Sequence, residues 1–366
     1  MNDIGKGSMD TSIKGAVNDA GTTTRSSGWG SRFDPSILPA VLFIVLLCLI
    51  GARNSNFFGT FNIGNVLTQI VPLLLVAAGQ TFVVATGGID LSVGSIVSLA
   101  SVVSVSLFAP WGIPATIAMT IAVSVLCGVV NGLLVSRGLE PFLVTLATLS
   151  VIQGAAFLIR ESPGGGVPES WGEVAGYFKG GIVPFALPIA VVAIIVATVV
   201  LRRTQVGFDI LATGSNADVA ELCGIRTTRA HLWAYGLSGL LGGLAGLYVN
   251  ARTLGGDPLA GATFTLDSIA AVVLGGTLIT GGRASIIGSA AGALSLGLLS
   301  NVLNFANVSS FYQQAVKGAV VVLAVAVPLI AVRVSRRVRA TNQARAVARN
   351  RSRVAVAGGP GDGSTA

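Results

Sequence analysis

Few residues in this sequence have the types and spacing needed for covalent chemistry. A serine nucleophile needs a base within hydrogen-bond reach, and Ser238, in Gly236-Leu237-Ser238-Gly239, has only His231 available. That histidine, the single one in the chain, lies upstream in the same apolar run, about 10 Å away at ~1.5 Å of helix rise per residue, too far to serve. Three scattered cysteines, Cys48, Cys127 and Cys223, suggest neither a zinc site nor a disulfide framework. No G-x-x-x-x-G-K-[ST] loop is present to cradle a nucleotide. The sequence therefore predicts no catalytic residue, no metal and no cofactor in this chain.

Two polar constellations stand out instead. The first is Gly87-Gly88-Ile89-Asp90-Leu91-Ser92-Val93-Gly94-Ser95. Two glycines can end a helix in a left-handed turn, and Asp90 or Ser92 can cap the N–H groups that open the next one. An ionisable group at a helix break near membrane depth also marks a gate candidate, here Gly87, Gly88, Asp90, Ser92 and Gly94. The second is the polar loop Gly214 to Ile225. Asn216 can cap a short helix, Asp218 complements its dipole and Gly224 stops it. A helix of about seven residues is too short to hold itself, so something must dock it. Val219, Leu222 and Cys223 share one face and Asp218 and Glu221 another; two acids disfavour lipid and favour a groove on a cytosolic partner.

These constellations need elements to position them. Of 366 residues, 52% are hydrophobic and 10% charged, against about 25% charged in a soluble domain. Continuous apolar runs of membrane-spanning length predict an all-α polytopic membrane protein and exclude a β-barrel, whose strands would alternate. Ten spans are expected, near 36–52, 66–86, 93–109, 114–136, 142–160, 184–201, 231–251, 267–280, 285–303 and 313–333. The eighth falls short of the roughly 20 residues needed to cross and is expected to be broken or half-inserted. Residues 1–34 read as a disordered cytoplasmic tail before a retained first helix, 35–333 as the membrane domain with an inner loop at 202–230, and 334–366 as a basic cytoplasmic tail.

Charge sets the orientation. With both termini cytoplasmic, 18 of the 23 Lys and Arg residues fall inside, eight of them between Arg333 and Arg353, where they meet anionic lipid rather than nucleic acid. Arg53, Arg160, Lys179 and Arg252 fall outside, and Lys317, within the last span, can either pair with Asp267 or snorkel to solvent. Glycine pairs at i,i+4, among them Gly128/Gly132, Gly239/Gly243 and Gly288/Gly292, predict close helix packing. Gly281-Gly282, five residues, Gly288-Ser289 echoes the Gly87-Gly88, five residues, Gly94-Ser95 spacing and marks a second inner-side break.

Four stretches carry a resemblance in their order along the chain. They are Gly87 to Ser95; Asn131-Gly132-Leu133-Leu134-Val135 with Pro141-Phe142-Leu143-Val144-Thr145-Leu146; Gly214 to Ile225; and Leu266 to Gly276 with Gly281-Gly282-Arg283. Together they resemble the permease subunits of bacterial ATP-binding-cassette (ABC) importers for monosaccharides, of the ribose/xylose/galactose type. The resemblance implies a dimer, expected as a homodimer, in the cell inner membrane. It also implies a cytosolic ABC ATPase subunit that binds ATP-Mg and contacts the loop containing Asn216, Asp218, Val219, Glu221, Leu222, Cys223 and Gly224. An extracytoplasmic sugar-binding protein would deliver the cargo. Candidate sugar-path residues are Gln80, Asn131, Thr145, Gln153, Asn250 and Asn301, drawn from polar side chains in the spans that also include Gln69, Thr81, Thr148, Asn304 and Gln313, although most such groups are expected to make interhelical hydrogen bonds. An ion-coupled sugar carrier is the alternative; the acids Asp90, Glu140 and Asp267 at span edges, rather than within spans, speak against it.

Overall fold

Long apolar runs with no charge to interrupt them become helices because a helix satisfies its own backbone in a medium without water. The computed structural model describes residues 37–177, 183–309, 311–320 and 322. In chain order the helices are α1 Leu38–Gly51, α2 Thr60–Ala85, α3 Val93–Ser136, α4 Pro141–Ile159, α5 Glu169–Gly172, α6 Ala186–Arg203, α7 Gln205–Ser215, α8 Ala217–Leu222, α9 Thr227–Thr253, α10 Phe264–Leu274 and α11 Ile286–Phe305, with further helical backbone at 311–320. Six of them, α2, α3, α4, α6, α9 and α11, are long and apolar enough to cross a membrane. No strand occurs among the described residues. The two tails, and most of the span expected at 313–333, lie outside them.

Several boundaries differ from the sequence reading. The expected spans 93–109 and 114–136 form one helix, α3, bent at Gly112, the one residue in it with non-helical dihedrals (φ 69°), between Pro110 and Pro114. The span expected at 66–86 begins six residues earlier, at Thr60. The inner loop holds an additional helix, α7, capped by Thr204 Oγ1, which accepts from Gly207 N. Gly207 permits it: a Cβ there would lie 2.2 Å from the Leu201 carbonyl oxygen, so α7 folds back against the end of α6.

Helix α2 is the axis of the fold. Every residue from Ile70 to Ala85 is buried, whereas α6 buries only Ala186, Ala190, Ala197 and Leu201 and leaves its large apolar side chains, such as Ile195 and Val196, outward as a lipid-facing helix would. Helices α3 and α9 close on each other through glycine: a Cβ on Gly128 would lie 2.2 Å from the Tyr235 carbonyl oxygen, and one on Gly239 would lie 2.3 Å from that of Ser124. This approach lets the two backbones touch where lipid supplies no hydrophobic drive to pull helices together.

The eighth span is short for a structural reason. Between α9 and α10 the chain runs as non-helical backbone alongside the first half of α3, from Gly256 beside Val105 to Gly261 beside Gly94. Protein groups supply the hydrogen bonds that water cannot: Ser101 Oγ accepts from Asp257 N (3.2 Å), Ser98 Oγ accepts from Gly261 N (2.9 Å) and Gln153 Nε2 donates to the Pro258 carbonyl (2.7 Å). Helix α10 therefore starts only at Phe264, and its 11 residues, about 16 Å at ~1.5 Å each, cover roughly half of a 30 Å hydrocarbon core. It stops at Gly275-Gly276, with Gly276 left-handed (φ 82°).

Candidate functional site

At the 204–226 end of the molecule, three backbones meet. Gly282 N donates to the carbonyl of Ala85, the last residue of α2 (3.0 Å). A Cβ on Gly214, near the end of α7, would sit 1.9 Å from that same oxygen and 2.8 Å from Gly282 N. A Cβ on Gly281 would lie 2.7 Å from both Gly214 O and Gly87 N. The two glycine pairs that echo each other in sequence therefore sit together, joined by the residue that leads into α8.

Helix α8 is held at both ends by its own residues. Asn216 Oδ1 accepts from Val219 N (3.0 Å). At the other end Gly224 is left-handed (φ 83°), its N–H donates to Glu221 O and that of Ile225 to Ala220 O, the paired bonds of a Schellman stop. Thr227 Oγ1 donates to Glu221 Oε1. Only Ala220 is buried; Val219 and Leu222 are 53% and 87% exposed, and Asn216, Asp218, Glu221, Cys223 and Gly224 are exposed as well. The six-residue helix is thus fixed at both ends by local hydrogen bonds and shows two large apolar side chains to its surroundings.

Directly above this junction the Asp90 loop is enclosed. Gly87 turns left-handed (φ 85°) and ends α2. Asp90, fully buried, accepts at Oδ1 from Ser92 N (2.9 Å) and Ser92 Oγ (2.6 Å) and at Oδ2 from Ser238 Oγ (3.0 Å). Ser92 forms no side-chain cap on α3; Asp90 takes the N–H of the residue just before it. Asn131 Nδ2 donates to Ser92 Oγ (2.7 Å) and Thr145 Oγ1 to the Ile89 carbonyl (3.0 Å). The Gln80 amide pairs with the Asp90 backbone, donating to its O (3.2 Å) and accepting from its N (3.1 Å). Helices α2, α3, α4 and α9 thus each place one side chain on this loop. Ser238, weighed from the sequence as a nucleophile and rejected, is one of them.

All six candidate path residues have internal partners. Gln80, Asn131 and Thr145 hold the Asp90 loop, and Gln153 holds the non-helical segment before α10. Asn250 Oδ1 accepts from Trp171 Nε1 (2.8 Å), and its Nδ2 donates to Ser104 Oγ. Asn301 exchanges two amide hydrogen bonds with Asn62, at 2.7 and 3.0 Å. Gly94, taken as part of the helix break, serves the same segment as Gln153: a Cβ there would lie 2.5 Å from Gly261 O.

The open polar space lies at the opposite, 160–177 end. A cavity of about 520 Å³ is lined by Asn65, Thr68 and Gln69 of α2, by Gly172 to Tyr177 in part, and by Arg252 and Leu254 where α9 ends. Its floor has a covalent cause. Pro72 has no N–H, so the Thr68 carbonyl four residues earlier lacks its helical donor, and Tyr248 Oη supplies one (3.1 Å). A smaller space of about 200 Å³ shares Gln69 and Arg252 with the first and includes Asp267 and Lys317. Those two form an ion pair (2.9 Å), the first of the two arrangements the sequence allowed. Asn65 and Arg252 were not singled out from sequence; Asn65 lies four residues before Gln69, and that spacing was the available signal.

Residues 62–325 match the family model described as branched-chain amino acid transport system / permease component. The chain is 38% identical over 294 residues to the ribose import permease protein RbsC of Bacillus subtilis (strain 168), covering 78% of this chain and 90% of that protein. It is 33% identical over 308 residues to the fructose import permease protein FrcC of Rhizobium meliloti, covering 80% and 85%. With the L-arabinose ABC transporter permease protein AraH of Azospirillum brasilense it shares 33% over 289 residues, covering 78% and 85%. No solved structure matches the chain.

Proposed function

This chain belongs to the family of ABC importer permeases that includes these relatives, a multi-pass membrane protein, and we propose that it carries a monosaccharide, a ribose-like pentose or a hexose, inward across the cell inner membrane. The cargo class follows from the relatives, whose names specify ribose, fructose and arabinose. An extracytoplasmic binding protein delivers it, a second copy of the chain completes the permease, and a separate cytosolic subunit hydrolyses ATP. The 204–226 end faces the cytoplasm by the positive-inside bias, which puts the 160–177 end outside.

One observation carries the coupling assignment: α8 exposes Val219 and Leu222 while its stem, Gly214, touches the ends of both glycine turns. A push on α8 reaches Ala85 and Gly281-Gly282 through backbone contact, with no flexible side chain between. From there the Asp90 loop ties the displacement to α2, α3, α4 and α9, so nucleotide-driven closure of the ATPase subunits moves helices as a group.

Leu222→Arg tests this. Burying a leucine is worth about 1.5–3 kcal/mol, so its loss and a buried charge weaken docking at least about tenfold, at 1.4 kcal/mol per factor of ten. ATP-driven uptake and co-purification of a Walker-motif ATPase should fall together while the amount of permease in the membrane stays unchanged. Uptake and co-purification at wild-type levels would remove α8 from the coupling interface.

A further inference from the structure

The polar groups at the two ends of the molecule are used differently. Around Asp90 most are spent on one another, with Asn131 Oδ1 and Tyr235 Oη the buried exceptions. In the 520 Å³ cavity at the 160–177 end, the amides of Asn65 and Gln69 make no hydrogen bond to any described residue, and Arg252 has no ion-pair partner among them. Asn65 and Gln69 lie one helical turn apart on α2, with Arg252 across the cavity on α9. Tyr177, 41% exposed, also lines the cavity, where its Oη accepts from Thr68 Oγ1 (3.2 Å). The volume lies within the range of about 300–1,000 Å³ typical of small-molecule pockets.

We propose that this cavity is a monosaccharide-binding site within the permease, through which the solute passes between its delivery and the translocation step. A neutral polyol presents hydroxyls that both donate and accept. The two amides answer with both functions, the guanidinium donates, and the Tyr177 ring packs on the C–H face of the sugar. The neighbouring 200 Å³ space shares Gln69 and Arg252, so those two side chains face the solute on both sides of the connection. Its cation, Lys317, is already neutralised by Asp267, which leaves Arg252 as the one lining cation a sugar acid could pair with, and gluconate in the test below separates that class from the neutral one. The site is open to its surroundings, which suits weak, transient binding. The inference rests on the transport reading above.

The test uses intact cells producing the complete importer, with Cys48, Cys127 and Cys223 replaced by alanine or serine and Gln69→Cys or Asn65→Cys added singly. A membrane-impermeant thiol reagent is applied from outside with ribose, fructose, arabinose or gluconate at millimolar concentration. The expected result is that at least one of the three neutral sugars slows labelling several-fold, that gluconate does not, and that labelled cells lose at least tenfold in uptake of the protecting sugar. Arg252→Leu should also lower uptake several-fold, with Arg252→Gln, which keeps an N–H donor, intermediate. Labelling indifferent to every sugar, or full labelling with normal uptake, overturns the site while ATP-driven uptake in the cysteine-free parent leaves the transport reading standing. Protection by gluconate alone overturns the neutral class. A parent without ATP-driven uptake of any of these sugars overturns both readings.

Discussion

The two ends of this membrane domain solve opposite problems. At the 204–226 end, Ala85, Gly87, Gly214 and Gly281-Gly282 press backbone on backbone, and every carboxylate oxygen of Asp90 has a donor. At the 160–177 end, Asn65, Gln69 and Arg252 face open space. Saturated polar groups hold a shape because each lost bond leaves an unpaired group in a low-dielectric interior. Unsaturated ones at an open cavity remain free to bind something from solution.

The comparison is broken most directly at the glycine junction. Gly214→Val should cost about 3 kcal/mol or more, since its Cβ would overlap the Ala85 carbonyl oxygen and backbone cannot step aside as a side chain can. The amount of monodisperse protein after detergent extraction reads this, and wild-type yield and melting temperature would show that the three backbones are not locked. Asp90→Leu should come next. It strands Ser92 N, Ser92 Oγ and Ser238 Oγ, at about 1–3 kcal/mol for each donor left unpaired, whereas Asp90→Asn keeps one acceptor and should fall between leucine and wild type in thermal stability.

Smaller effects sharpen the contrast at the other end. Tyr248→Phe removes the donor to the Thr68 carbonyl and should cost about 1 kcal/mol. In a Pro72→Ala background the restored amide can take that carbonyl, so the same substitution should cost measurably less; equal costs in the two backgrounds would refute the proline explanation of the cavity floor. Gln69→Leu should change the melting temperature least, within about 0.5 kcal/mol, because the side chain holds nothing in place.

Much of this architecture is legible in the residues themselves. Uninterrupted apolar runs place the long helices, since a helix satisfies its backbone within the segment in lipid and a barrel strand would alternate. The signals in Asn216, Asp218 and Gly224 outline α8, because capping is local chemistry within six or seven residues. Helix α7 escaped notice because Gly207 and Asp209 dilute its pattern, and it exists by leaning on Leu201. The polar residues of the spans could be found but not sorted. Gln80 and Gln69 look alike in sequence, and only their neighbours tell them apart: the Asp90 backbone for one, open space for the other.

Composition and local pattern thus determined that the chain is a helical membrane protein, and where its exposed polar helix lies. Tertiary structure decided which glycine turns touch, why the eighth span is halved, and which amides remain free. The division has a physical origin. Hydrophobicity and capping act over one or a few helical turns and are written in consecutive residues, whereas close approach and hydrogen-bond saturation depend on partners up to 255 positions away, as between Ala40 and Ser295.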